Sequence, residues 1–354
     1  MTCKDARRFM IELASPVLAA IATIACSDPP ETVRNEWQPI LALPEPVSNN
    51  AVAAVETPEG CALVTALGID ASRASAGIHV RAWMFDDGWQ PLPDVGGPPR
   101  IAASAVTLRG KVYVIGGYSV AASGAETTHP NVEILDLATR TWAVGPPLPT
   151  AIDDAVVVTW RDRWIVVVSG WSNSAPISTV QLFDVEVGTW TTATAFPGTP
   201  VFGHAGAIVD DELVIVDGVR SNVGGFAIER QAWIGRLDPS APTTIGWTQL
   251  PDHPGPARYR AAGGTAEGHV IIHGGTAEPY NFDGLSYLDD TPARPLADAI
   301  VFDPIARTWL ESPIMKPVGT MDHRALVGCG PRLFTIGGME VGPVVTDAVW
   351  SLEL

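Results

Sequence analysis

Positive charge is scarce in this chain. Its 354 residues contain 22 lysines and arginines against 39 aspartates and glutamates, so the formal net charge is −17 and the pI is near 4.7. No basic stripe is present that could contact a phosphate backbone, and this excludes nucleic acid from the expected partners. The acidic balance favours solubility and is compatible with a cationic partner.

Catalytic signatures and sustained helical periodicity are also missing. The sequence has no Gly-x-Ser-x-Gly, no His-Glu-x-x-His and no glycine-rich phosphate loop. We therefore expect no cofactor and no resident metal, and no catalytic residue is assigned from a motif. Glycine (34 residues) and proline (31 residues) are abundant, which together with the short apolar runs indicates an all-β fold rich in turns.

The first 26 residues have the features of an export signal. Lys4, Arg7 and Arg8 precede a mostly apolar run over residues 13–25, which is too short for a membrane-spanning helix. Residues 1–26 are therefore predicted to be a signal peptide, and residues 27–35 a linker. The protein is expected to be exported.

The end of this segment, Thr23-Ile24-Ala25-Cys26, resembles a bacterial lipobox. Leucine is usual where Thr23 stands, and Glu12 interrupts the apolar region. The resemblance implies a lipoprotein in which Cys26 is acylated and tethers the chain to a membrane, in the periplasm or at the cell surface. Ordinary cleavage nearby, which would release a secreted protein, is the alternative.

A repeat dominates the rest of the chain. Six apolar runs end in a doublet whose second residue is glycine: Leu67-Gly68, Gly116-Gly117, Ser169-Gly170, Asp217-Gly218, Gly274-Gly275 and Gly337-Gly338. The distance from a tryptophan to the next doublet is 27 residues for Trp89, Trp142, Trp190 and Trp247, and 28 for Trp309. The distance from a doublet to the next tryptophan varies from 21 to 35 residues. One fixed half and one variable half are typical of a structural repeat that accommodates insertions in its loops.

A period of about fifty residues fits a propeller blade of four antiparallel strands. In three repeats an aspartate stands six residues before the tryptophan, at Asp136, Asp184 and Asp303. With the doublets, this pattern resembles the kelch repeat over residues 36–354. The resemblance implies one domain, a six-bladed kelch-type β-propeller. Because only 17 residues follow Gly337, the strand around Trp37 is predicted to complete the last blade and close the ring without an open edge.

Beyond residue 26 the only cysteines are Cys61 and Cys329. Both are predicted near the turn between the first two strands of their blades, in the first and last blades, which ring closure makes neighbours. In an oxidising compartment they could form a disulfide that staples the closure. Two buried free thiols are the alternative.

In a propeller the first strand of each blade lines the central channel, and the loops before it open on the same face as the loops after the doublets. Charged and histidine side chains stand about sixteen residues before several doublets: Arg100, Asp153, Asp154, His204, Arg258, Arg260, Asp322, His323 and Arg324. These side chains are candidates for a small-ligand site at the channel mouth. Structural roles are the alternative, because kelch arginines at this position commonly tie adjacent blades through backbone carbonyls and buried carboxylates need partners.

The fifth repeat carries a long loop over residues 276–298, and such loops are often functional. Tyr280, Phe282 and Tyr287 could stack on a sugar. Asp283, Asp289 and Asp290 could bind a divalent cation, although EF-hand spacing is absent. A surface insertion whose aromatic side chains pack together is the alternative.

Two functions fit these features. The first is an exported binding module that recognises an unknown protein or glycan through its loop face and channel mouth. The second is a mutarotase or epimerase similar to the six-bladed N-acetylneuraminate epimerases, which requires only a positioned acid and base. A copper-radical oxidase of the galactose-oxidase kind is disfavoured, because the chain has five tyrosines and no matching cysteine.

Overall fold

The computed structural model describes residues 36–57 and 60–354. The predicted signal peptide, Cys26 and the linker over residues 27–35 lie outside the described residues. Within the described part, no helix is long and apolar enough to cross a membrane.

Six four-stranded antiparallel sheets form the blades of a propeller. Blade 1 contains β2 (Ala51–Thr57), β3 (Gly60–Ala66), β4 (Ala82–Phe85) and β5 (Trp89–Leu92). Blade 2 contains β6 (Ser104–Leu108), β7 (Lys111–Ile115), β10 (Val132–Asp136) and β11 (Thr141–Val144). Blade 3 contains β12 (Val156–Trp160), β13 (Trp164–Ser172), β14 (Ala175–Asp184) and β15 (Thr189–Ala193).

The second half of the ring repeats this plan. Blade 4 contains β16 (Ala205–Val209), β17 (Glu212–Val216), β20 (Ala232–Leu237) and β21 (Ile245–Gln249). Blade 5 contains β22 (Ala262–Ala266), β23 (His269–His273), β24 (Ala299–Asp303) and β25 (Thr308–Leu310). Blade 6 contains β26 (Val327–Cys329), β27 (Arg332–Ile336), β30 (Val349–Glu353) and, from the other end of the chain, β1 (Glu36–Pro39). The predicted six-bladed all-β fold is confirmed.

Three short ribbons rise from the loops after the doublets. They are β8 (Tyr118–Val120) with β9 (Glu126–Thr128), β18 (Val219–Asn222) with β19 (Gly225–Ile228), and β28 (Met339–Glu340) with β29 (Val344–Val345). Blade 3 differs from the expectation that each doublet ends its strand. There the register shifts between Val168 and Gly170, and β13 continues to Ser172, paired with β14. A one-turn 3₁₀ helix, Ser75–Gly77, lies in the corresponding loop of blade 1.

Small residues let the first strands meet around the channel. A Cβ added to Gly263 would collide with the backbone of Gly206 in the neighbouring blade, and one added to Gly264 would collide with the carbonyl of Leu326. The second strands are instead buried over most of their length and are rich in valine, isoleucine and leucine, as in 165–168 and 213–216. The doublets have the left-handed conformation expected for glycine, which even Leu67, Ser169 and Asp217 adopt at φ 63°, 51° and 58°.

The ring closes as predicted. β1 pairs with β30 in the register Trp37↔Leu352 and Gln38↔Ser351, so the first described strand is the outer strand of the last blade. Trp37 is 4% exposed and its indole ring lies 4.6 Å from the His273 ring. In addition, Cys61 and Cys329 are joined by a disulfide with a Cα–Cα distance of 5.9 Å, which links blade 1 to blade 6.

Candidate functional site

One residue per blade forms a ring at the channel mouth, shortly before the first strand of that blade. The six residues all have left-handed backbone conformations, with φ between 50° and 69°: Asn49, Ala102, Asp154, Gly203, Arg260 and Asp322. Backbone bonds connect neighbours around the ring, with the amides of Ala102, Asp154, Gly203 and Arg260 donating to the carbonyls of Asn49, Ala102, Asp154 and Gly203 over 2.7–3.3 Å. These bonds hold the ring side chains in fixed positions around the axis.

Charged members of this ring form a buried ionic cluster, defined here as Asp154, Arg260, Asp322 and Arg324. Arg260 pairs with Asp154 (Nη2–Oδ2, 2.7 Å) and with Asp322 (Nη1–Oδ1, 3.2 Å). Arg324 bridges the same two carboxylates. All four side chains are almost completely buried. Buried charges are tolerated when paired and hydrogen-bonded in this way.

Aromatic and hydroxyl groups complete the surroundings of the cluster. Asp322 also accepts hydrogen bonds from Ser48 Oγ (2.6 Å) and the Tyr280 hydroxyl (3.2 Å). The Arg260 guanidinium lies 4.9 Å from the Tyr259 ring centre and 5.1 Å from that of Tyr280, which are cation–π distances. Burial raises the pKa of Asp322 against the opposing effect of Arg260, and burial lowers the pKa of Arg324 to about 10.

A cavity of about 110 Å³ lies over this cluster on the loop face. Its lining comes from the loops of four blades: Tyr118, Glu126, Asp153, Asp154, Trp171, Phe202, Phe226, Arg260, Asn281 and Tyr287. Asp153 is 3% exposed, and its Oδ2 accepts a hydrogen bond from the Thr128 hydroxyl at 2.7 Å. Burial raises the pKa of Asp153 to about 7, although the Thr128 hydrogen bond and Arg260 act in the opposite direction.

The long loop of blade 5 covers the mouth. The Tyr287 ring packs on Phe226 of the β18–β19 ribbon at 4.6 Å, and burial raises the Tyr287 pKa to about 12. Further along the loop, Phe282 packs against a buried cluster that contains Ile101 and Tyr118, and Arg73 Nη1 donates to the Asp283 carbonyl at 2.6 Å. The loop therefore extends from blade 5 across to the loops of blades 1 and 2.

The structure brings together seven of the twelve candidate ligand-binding residues. Four of them form the ionic cluster: Asp154, Arg260, Asp322 and Arg324. Asp153 lines the cavity, and Tyr280 donates a hydrogen bond to Asp322 of the cluster. The seventh, Tyr287, lies in the cavity wall. Phe282 packs in the covering loop outside the cavity lining.

Arg100 and Arg258 lie away from the cavity, which corrects their grouping with the mouth residues. Arg100 donates from Nε to the Gly116 carbonyl (2.7 Å) and pairs with Glu133. Arg258 donates from Nη1 to the carbonyls of Gly274 and Asp298, both at 3.0 Å. Each arginine therefore ties the loop before a blade to the doublet of the same blade, rather than to the adjacent blade.

The two candidate histidines also have structural partners. His204 Nε2 lies 2.9 Å from the Val168 carbonyl, and His323 Nε2 lies 2.8 Å from Thr320 Oγ1. Burial lowers the pKa of His204 to about 4 and of His323 to about 3, so both are neutral at pH 7. Neither side chain lines the cavity over the ionic cluster.

The loop carboxylates are used in local turns. Asp289 Oδ1 accepts the Thr291 hydroxyl at 2.7 Å, and Asp283 Oδ1 accepts the Leu285 amide at 3.1 Å. Within residues 36–57 and 60–354, no group of three or more His, Cys, Asp or Glu side chains is placed to hold a metal ion. The hypothesis of a cation site formed by Asp283, Asp289 and Asp290 is thus not supported by their positions.

Six cavity residues were missed in the sequence: Tyr118, Glu126, Trp171, Phe202, Phe226 and Asn281. Tyr118 and Trp171 stand directly after the doublets Gly116-Gly117 and Ser169-Gly170, so the residue after each doublet is a signal that could have found them. Glu126 and Phe226 lie on the second strands of the β8–β9 and β18–β19 ribbons. Their positions depend on loops of variable length, in which the repeat gives no register.

Comparison with known proteins gives one family match. Residues 99–149 match the Kelch motif. The chain is 25% identical over 263 residues to "Kelch domain-containing protein 3" from Bos taurus and from Homo sapiens, which covers 69% of this chain and 65% of each relative. It is 33% identical over 138 residues to "Acyl-CoA-binding domain-containing protein 5" from Arabidopsis thaliana, covering 37% of this chain and 20% of that protein. The chain thus spans about two thirds of the length of the bovine and human relatives.

A solved structure shares the fold. The chain matches "Structure of YjhT" with a TM-score of 0.69 and 15% identity, and the match covers 87% of this chain and 95% of the other.

Proposed function

We propose that this chain, whose motif match and relatives support a kelch-repeat family, is a binding module that recognises a partner through its loop face. The observation that carries this proposal is the cavity over the ionic cluster. Aromatic side chains from three successive blades and the covering loop enclose it: Tyr118, Trp171, Phe226 and Tyr287. Small concave sites with aromatic walls and a few polar groups are typical of ligand binding.

The floor of the cavity supports the same proposal. Asp154 and Arg260 line the cavity and are fixed by the ring of backbone bonds and by their mutual ion pair. A rigid floor lowers the entropy lost when a partner binds. The ribbons and the covering loop carry the variable part of the surface, as is usual for sites built on a rigid scaffold.

The partner class is a protein or a glycan, and a screen against both tests the proposal. The purified protein is applied to a glycan array and a peptide array, beside the variants Phe226→Ala and Val223→Ala. Phe226 lines the cavity, whereas Val223 is fully exposed at the tip of the same β18–β19 ribbon. We expect ligands whose binding is lost in Phe226→Ala and retained in Val223→Ala. Equal binding by both variants would place recognition elsewhere on the surface.

Export is part of the proposal. The support is the signal pattern of residues 1–26 together with the Cys61–Cys329 disulfide, because structural disulfides persist in oxidising compartments. We expect the mature protein to incorporate labelled palmitate and to partition into a detergent phase, and Cys26→Ser to lose both properties. An exported but unlabelled wild-type protein would favour plain cleavage.

A second candidate function, a sugar mutarotase or epimerase, is favoured by one observation. Asp153 lines the cavity, and its pKa of about 7 lets it exchange a proton near neutral pH, as a general acid or base must. The test is the rate of anomer interconversion for a panel of hexoses and acidic sugars, measured by NMR. Catalysis that Asp153→Asn abolishes would establish the enzyme, and no rate above the uncatalysed reaction would exclude it for those sugars.

A further inference from the structure

The cavity has an excess of negative charge. Four carboxylates lie at the cavity or directly beneath it: those of Glu126, Asp153, Asp154 and Asp322. Only two guanidinium groups, those of Arg260 and Arg324, face them. Asp154 and Asp322 are the carboxylates that pair with these arginines. Glu126 and Asp153 have no ion-pair partner among the described residues, so no arginine or lysine of the described chain balances either carboxylate when it is ionised.

Of these two carboxylates, Asp153 indicates more strongly that a cationic ligand binds here. Its side chain is 3% exposed and lines the cavity, and Oδ2 accepts the Thr128 hydroxyl. Within the part of the chain that the structure describes, Oδ1 accepts no hydrogen bond. A buried carboxylate with one hydrogen bond and no cation is costly when ionised. In agreement with this, burial raises the pKa of Asp153 to about 7.

Aromatic rings form the opposite walls. Trp171, Phe202 and Phe226 contact one another edge to face, with centroid distances of 5.3, 5.4 and 5.7 Å. Tyr287 packs on Phe226, and Tyr118 also lines the cavity. Aromatic faces carry negative electrostatic potential and attract ammonium groups, most strongly where water is excluded.

We propose that this cavity binds an alkylammonium group, primary or methylated, with Asp153 and Glu126 as its counter-ions and the aromatic rings as its walls. The inference rests on the proposed binding function and names the chemistry of the group that enters. A volume of about 110 Å³ is the room of roughly four waters. It holds a cationic head group and leaves the remainder of the ligand outside.

The arrangement of Arg260 argues against an anionic ligand. Its Nε and Nη2 both donate to Asp154, and Nη1 donates to Asp322. Each guanidinium nitrogen is therefore already engaged by a carboxylate beneath the cavity. An incoming carboxylate or phosphate would meet Asp153 and Glu126 without a free guanidinium group to balance them, whereas an ammonium group would balance them directly.

The test compares a cation with its neutral isostere. Binding of choline and of 3,3-dimethylbutan-1-ol to the purified protein is measured by isothermal titration calorimetry at pH 8. The two molecules differ in charge and share their shape. We expect choline to bind at least tenfold more tightly. Equal affinities would overturn the assignment of a cation while leaving a binding cavity in place.

Charge variants locate the site. Asp153→Asn and Glu126→Gln are expected to weaken choline binding about tenfold each, and Asp289→Asn, an exposed carboxylate of the covering loop, is the matched control. Because Glu126 is exposed, Glu126→Gln should fold normally. It therefore reports on ligand binding in the cavity even if Asp153→Asn fails to fold. Wild-type affinity should also fall between pH 8 and pH 6, because Asp153 takes up a proton near pH 7. Unchanged affinity in both cavity variants would contradict the proposal.

Peptides distinguish the source of the cation. Trimethyllysine, lysine and norleucine peptides of one sequence are compared with free choline. Tight binding of the cationic peptides alone would assign the group to a protein side chain, and tight binding of choline alone to a free amine; both outcomes support the cavity chemistry. If neither choline nor a cationic peptide binds while ligands from the array screens do, this inference fails and the proposed binding function stands.

Discussion

Arg260 is the residue on which the buried charges of the mouth depend. It pairs with Asp154 and Asp322, which are both buried, and removing it leaves Arg324 as the one arginine paired with those carboxylates in the described chain. Breaking a buried ion pair by deleting one partner typically costs about 3–5 kcal/mol, because the remaining charge is uncompensated. We expect Arg260→Met to lower the free energy of unfolding in urea by about that amount.

The control for this prediction is an exposed pair. Arg109 is paired with Glu186 at 2.9 Å, and both side chains are solvent-accessible. Exposed ion pairs contribute little to stability because water and salt screen them. Arg109→Ala should leave the urea midpoint nearly unchanged. A similarly small change for Arg260→Met would show that the ionic cluster does not contribute to the stability of the fold.

Asp153 predicts the direction of a pH effect. Its pKa is raised from 3.8 to about 7 in the folded state, so the folded protein binds this proton more tightly than the unfolded chain does. The stabilisation is fully present below about pH 4 and is lost as the pH rises through about 7. We expect the stability of the wild-type protein relative to Asp153→Asn to decrease over that interval and to be constant above it.

The measurement is urea unfolding of both proteins at intervals from pH 4 to pH 8. Other groups titrate in this range, but they are common to the two proteins and cancel in the difference. A difference that does not vary with pH would mean that Asp153 has an ordinary pKa and is not desolvated in the cavity.

The channel mouth shows how well the repeat pattern predicts the positions of individual side chains. Asp154, Arg260 and Asp322 were identified because they stand 14 or 15 residues before a doublet. Arg100 stands at a similar distance but turns to the Gly116 carbonyl. The direction of a side chain depends on which loop residue adopts the left-handed conformation, and in blade 2 that residue is Ala102. The sequence pattern does not contain this information.

At the scale of elements, β1 joins the two ends of the described fold. Trp37 is the buried residue of this four-residue strand, and Gln38 beside it is exposed. Large-to-small substitution of a buried tryptophan costs about 3–5 kcal/mol. We expect Trp37→Ala to lower the free energy of unfolding by about this amount and Gln38→Ala to have little effect, both measured by urea unfolding.

Removing the whole strand extends the same argument. Deletion of residues 36–43 would expose the edge of β30, and unpaired edges are sites of aggregation. We expect a much less stable protein that forms oligomers, as judged by thermal unfolding and size-exclusion chromatography. A monomer with unchanged melting would contradict closure through β1.

The elements that were predictable are those in the half of the repeat with fixed length. The spacing from each tryptophan to the next doublet specified the blades, and the 17 residues after Gly337 identified β1 as the missing strand. The ribbons and the course of the covering loop lie in the variable half. Their packing, such as Tyr287 on Phe226, joins residues from different blades, and no local pattern encodes it.

At the scale of the molecule, two links close the ring at blade 6. The pairing of β1 with β30 completes blade 6 at its outer edge, and the Cys61–Cys329 disulfide joins blade 6 to blade 1. The cysteines are 268 residues apart, so the disulfide spans most of the propeller. A covalent link across so long a segment restricts the unfolded chain strongly.

The disulfide therefore predicts a loss of stability on reduction. We expect the paired variant Cys61→Ser/Cys329→Ser to be less stable than the oxidised wild-type protein by about 2–5 kcal/mol. The wild-type protein in a strong reductant should approach the stability of the variant, and the variant itself should not respond to the reductant. Because β1 still pairs with β30, the reduced ring should remain folded, with an unchanged circular dichroism spectrum. Complete unfolding on reduction would show instead that the pairing of β1 alone cannot hold blades 1 and 6 together.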